Sequence, residues 1–127
     1  MPNQTKHIAQ ARHNRQFWCS FDLSSTPFSD WVVSGMFYEG VHWVEVFLSS
    51  RGEHSTRHGQ RTSAMRRHIK EMGPVMPDLE ALKVESENAR YGCYKHTANE
   101  ISADLIPLVK NIESHIQNIF NPPATTP

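Results

Sequence analysis

In SENARYGCYKH, Arg90 and His96 stand six positions apart, a permanent cation and an imidazole in a stretch with no clear helical or strand period. Both types suit phosphate chemistry. A guanidinium offers a planar fork of donors to phosphate oxygens, and an imidazole exchanges a proton near neutral pH. The same side chains also serve a plain loop, Arg90 by bonding helix C-terminal carbonyls and His96 as an ordinary residue before a cap. Upstream, Tyr38, His42 and Glu45 follow one another at spacings of four and three, so on a helix they form one narrow polar stripe among apolar neighbours. Such a stripe is either satisfied by partners inside a helix interface or floors a polar cleft. His42, Glu45 and His58 or His54 are metal-ligating types, but no HExxH or comparable ligand spacing occurs, so neither a metal nor another cofactor is expected. His58 and Arg61, in TRHGQR, sit one turn apart near an expected helix start, where free backbone N–H groups favour anions.

The elements that must position these groups read as helices throughout. A weak amphipathic helix is expected from about Gln4 to Phe17, followed by a connector, SFDLSSTPFSD, rich in turn and capping residues. The run from Trp31 to Ser50 is apolar around most of its circumference and is expected to form the central, most buried helix. A third helix is expected from Ser55 or Thr56 to Met72, stopped by Gly73-Pro74, and then a short segment holding Leu79, Leu82 and Val84. Thr97-Ala-Asn-Glu100 fits a capping box before a last helix, with a kink or local break expected at Pro107. Residues 1–120 read as one domain and 121–127 as a frayed polar tail. The fold class expected is all-α, a four- to five-helix up-and-down bundle.

Charge narrows the partners. Thirteen basic and thirteen acidic residues cancel, so an anionic partner must be met by a local patch. Such a patch exists between Arg51 and Lys70, where six cations face only Glu53, with His54, His58 and His68 interspersed. It is either a solvated helix face or a phosphate-contacting one. Two cysteines, Cys19 and Cys93, read as reduced thiols. With no apolar h-region and no membrane-length apolar run, a cytoplasmic protein is expected.

Several stretches together resemble the HEPN superfamily of small helical-bundle proteins. They are HIAQARHNRQF, SDWVVSGMFYEGVHWVEVFLSSRG with a His four positions after the Tyr, RHGQRTSAMRRHI and SENARYGCYKH. Arg90 to His96 is similar to that family's R-x(4-6)-H signature, and the SxxARY pattern places the chain nearest one branch. The resemblance implies binding of RNA or nucleotide phosphates, and a metal-independent endoribonuclease of toxin–antitoxin type with Arg90 and His96 as its catalytic pair. Cleavage would then proceed by attack of the ribose 2′-hydroxyl on the adjacent phosphate, with His96 as base and Arg90 facing the developing charge. His42, His58, Arg61, Tyr38, Glu45, Tyr91 and Tyr94 would position the substrate. It further implies a homodimer with both motifs in one cleft or, alternatively, a non-catalytic protein that docks a nucleotidyltransferase or another partner.

Overall fold

A computed structural model describes residues 2–120. Among them the fold is an all-α helical bundle without strands. Its helices are α1 (Gln4–Cys19), α2 (Ser29–Ser50), α3 (His58–Arg67), α4 (Ile69–Met72), α5 (Met76–Arg90), α6 (Ala98–Glu100) and α7 (Ile106–Phe120). A 3-10 turn, Gly73–Val75, precedes α5, and a π-turn, Ile101–Leu105, precedes α7. The tail expected at 121–127 lies outside the described residues. No helix among those described is long and apolar enough to cross a membrane.

The central position of α2 follows from its sequence. With fourteen buried residues on 22, it is covered around most of its circumference, and α1, α5 and α7 pack around it. At Gly40 a Cβ would approach Leu79 and Ile112 to 3.2 and 3.3 Å, so glycine lets α5 and α7 come in close.

One acid inside this helix, Glu39, is fully buried and was not singled out by sequence. Its carboxylate accepts from Arg15 Nε and Nη2 (2.7 and 2.6 Å), Trp18 Nε1 (2.7 Å) and Trp43 Nε1 (2.8 Å). Arg15 Nη2 also donates to Glu113 at 2.9 Å, so one guanidinium ties α1 to both α2 and α7. Four donors on two oxygens compensate the desolvation of the charge.

Three boundaries differ from the sequence expectation. The single helix expected from Ser55 or Thr56 to Met72 begins at His58 and breaks at His68, whose backbone (φ −118°, ψ 45°) leaves the helical region. The His68 imidazole and the Arg67 guanidinium both bond the Glu53 carboxylate, folding the 51–57 loop onto that corner. Gly73-Pro74 does not stop the chain, because Gly73 itself is helical and the 3-10 turn leads straight into α5. The short segment around Leu79 is a 15-residue helix reaching Arg90. Its buried positions Leu79, Leu82, Ser86 and Ala89 keep helical spacing, but the last two are small, which hid the period.

Beyond Arg90 the chain turns sharply. A Cβ at Gly92 would lie 2.8 Å from the Asn88 carbonyl oxygen, and Cys93 takes a left-handed φ of 55°. The capping box then forms as expected: Thr97 Oγ1 accepts from Glu100 N (3.1 Å) and Glu100 Oε1 accepts from Thr97 N (2.9 Å). The break expected near Pro107 is present as the π-turn, in which Ile106 N–H donates to the Ile101 carbonyl one residue further back than in an α-helix.

Candidate phosphate-binding face

The polar stripe of α2 meets partners from three other helices. His42 Nδ1 lies 3.0 Å from His7 Nδ1 of α1. Two ring nitrogens at that distance need one proton between them, so one imidazole donates to the other. Burial, then the neighbouring His7 and Arg61, push His42 down to about 4, and burial is also the main cause lowering His7. Both rings are therefore neutral at pH 7. Glu45, three residues along, is buried and accepts from Arg61 Nε of α3 at 2.8 Å.

Arg61 carries the polar chain outward. Its Nη1 lies 3.0 Å from His58 Nδ1. A guanidinium only donates, so Nδ1 is the acceptor and the proton of neutral His58 sits on Nε2. Burial chiefly, then Arg61, Lys83 and Arg90, lower the His58 pKa. His58 accordingly presents an N–H donor, which suits holding an anion better than removing a proton.

Arg90 closes this face as the last residue of α5. Its Nε donates to the Ser86 carbonyl (3.2 Å), Nη2 reaches Ser86 Oγ (3.4 Å) and Nη1 reaches Tyr38 Oη (3.5 Å). The guanidinium carbon stands 5.8 Å from the Tyr38 ring centre and 5.0 Å from that of Tyr91. Among the described residues Arg90 makes no ion pair with a carboxylate.

His96 stands elsewhere. Its side chain is 1% exposed, and Nε2 donates to Glu85 Oε2 at 2.7 Å. Nδ1 is buried and has no partner among the described residues. At ~100° per residue, Glu85 and Arg90 point about 140° apart around α5. Arg90 thus faces α2 and α3, while His96 packs on the opposite flank. There the Tyr94 ring lies edge-on at 4.7 Å, and Tyr94 Oη donates to Glu100 Oε2 at 2.7 Å.

Of the residues singled out by sequence, Tyr38, His42, Glu45, His58, Arg61, Arg90 and Tyr91 converge on one face, whereas His96 and Tyr94 sit together on another. Sequence reasoning missed His7 and Lys83, which join the first group only through packing. Among the described residues no group of three or more His, Cys, Asp or Glu side chains is arranged to hold a metal ion. Comparisons with family models, curated proteins and solved structures find no match for the chain.

Proposed function

We propose that this helical bundle binds the phosphate groups of RNA or nucleotides on the face where Tyr38, His58, Arg61 and Arg90 meet. The observation that carries the reading is Arg90 itself, held against two tyrosine rings without a carboxylate among the described residues to neutralise it. A cation so placed keeps its charge for an external anion, and Arg61 and the His58 N–H extend the donor row. The resemblance to HEPN proteins supports the same reading. In the cleavage reading Arg90 would act with a base, and His96 is buried against Glu85 and turned away from it, so that chemistry would need His96 released from Glu85 or a different base.

The test is binding of a short single-stranded RNA at several salt concentrations with EDTA present, alongside analysis of RNA ends. Affinity that falls as salt rises, with intact RNA, is the expected result. Cleavage leaving 2′,3′-cyclic phosphate ends would instead favour a metal-independent ribonuclease, and sedimentation would then show whether a homodimer supplies the second motif. Neither binding nor cutting by folded protein would overturn the phosphate reading and favour docking to a partner such as a nucleotidyltransferase.

A further inference from the structure

The phosphate-binding face continues into a groove between α3 and α5 of about 370 Å³, within the range of small-ligand sites. Its two ends differ. The His58 imidazole feels Lys83, Glu87 and Arg90, so the start of α3 lies opposite the C-terminal half of α5. The short path through α4 and the 3-10 turn brings the other end of α3 against the start of α5. One end therefore carries His58, Arg61 and Lys83, and the other carries Met65, Met76 and Leu79 with the exposed Arg66 and Glu80 at its rim, Phe37 of α2 also being in the lining. Arg61 is 8% exposed yet contributes to the wall, so a mostly buried cation borders the groove. Glu80 is the one carboxylate among the lining residues and is exposed.

With the N–H donors of neutral His58, of Arg61 paired to Glu45 and of Lys83 paired to Glu87 (3.9 Å) at one end, and thioether and aliphatic surface at the other, the groove matches a head and a body. We infer that the α3–α5 groove holds one small amphipathic anion, its phosphate head at His58, Arg61 and Lys83 and its apolar body on Phe37, Met65, Met76 and Leu79. This deepens the phosphate-binding reading and rests on it. A strand of RNA would use the outer face near Arg90, whereas the groove rewards a compact apolar group that inorganic phosphate lacks. Methionines shape themselves to such a body without demanding one outline.

The experiment is calorimetric titration of the whole chain with inorganic phosphate, methyl phosphate, butyl phosphate, hexyl phosphate and adenosine monophosphate. Each methylene that enters the groove multiplies affinity by about four, so hexyl phosphate should bind at least about tenfold tighter than methyl phosphate. Adenosine monophosphate binding as tightly as hexyl phosphate would assign a planar body, and hexyl phosphate alone an aliphatic one, and either result supports the inference. Thr62→Trp should fill the groove and abolish the increase while inorganic phosphate still binds, and Met76→Gln, at a partly exposed site, should weaken the increase without threatening the fold. Equal affinities across the series, or an increase unchanged in both folded variants, would overturn the inference and leave the phosphate reading intact. Loss of every phosphate ligand, RNA included, would instead overturn the reading beneath it.

Discussion

Arg90, the last residue of α5, reaches across to α2 and sets its guanidinium 5.8 Å from the ring of Tyr38. A planar cation lies near an aromatic ring in a way that an ammonium on a flexible stem does not reproduce. Arg90→Ala should weaken RNA binding by about tenfold or more and lower the salt slope by roughly one phosphate contact, while Arg90→Lys should recover only part of the affinity. Salt-dependent titrations of the three proteins check this. Equal affinity in all three would remove Arg90 from the interface.

His96 belongs to the fold. His96→Ala removes a charge-assisted bond to Glu85 from a buried site and should cost about 1–3 kcal/mol in urea unfolding. RNA affinity of the folded variant should stay within about twofold, since Arg90 faces the other flank. A tenfold loss of affinity at unchanged stability would return His96 to the binding face.

Glu39 is the buried charge on which α1, α2 and α7 converge. Glu39→Gln offers one acceptor oxygen where four donors arrive and turns an amide N–H toward donors. The loss should reach about 3–5 kcal/mol, as when one partner of a buried ion pair is removed. Emission of Trp18 and Trp43 should shift in any fraction that remains folded, because both indoles donate to this carboxylate. An unfolding midpoint equal to that of the parent would contradict the network.

Acid should loosen the contact between His7 and His42. The folded state holds His42 at about 4, below its ordinary 6.5, so the unfolded chain takes up the proton first as pH falls. The contribution is present in full above about pH 6.5 and is lost as pH drops toward 4. Allowing for partial solvent access, the loss amounts to roughly 2–3 kcal/mol. His42→Gln should flatten the stability profile between those pH values. A profile with the same slope in parent and variant would show that this ring does not control the transition.

Much of this architecture is legible in the chain, and the illegible parts share a cause. The central helix, the Thr97–Glu100 capping box and the Tyr38–His42–Glu45 stripe are local patterns, so spacing alone exposes them. The length of α5 was masked because Ser86 and Ala89 fill buried positions without looking apolar. His96 reads as an exposed residue before a cap, since its partner Glu85 lies on the preceding helix across the Gly92 turn. Glu39 stands as one of two acids in an apolar run, off the Tyr38–His42–Glu45 stripe, and its donors Arg15 and Trp18 arrive from α1. A tryptophan four residues away, Trp43, was the local hint that its carboxylate would be held inside.

The bond between Arg15 and Glu113 joins positions 98 residues apart. Closing so long a loop is entropically costly until the intervening helices are packed, so this contact belongs to the native side of the folding barrier. Weakening it changes how fast the bundle opens far more than how fast it forms. A latch of this kind between the first and last long helices should set part of the folded protein's lifetime, so Glu113→Gln is expected to speed unfolding more than it slows refolding.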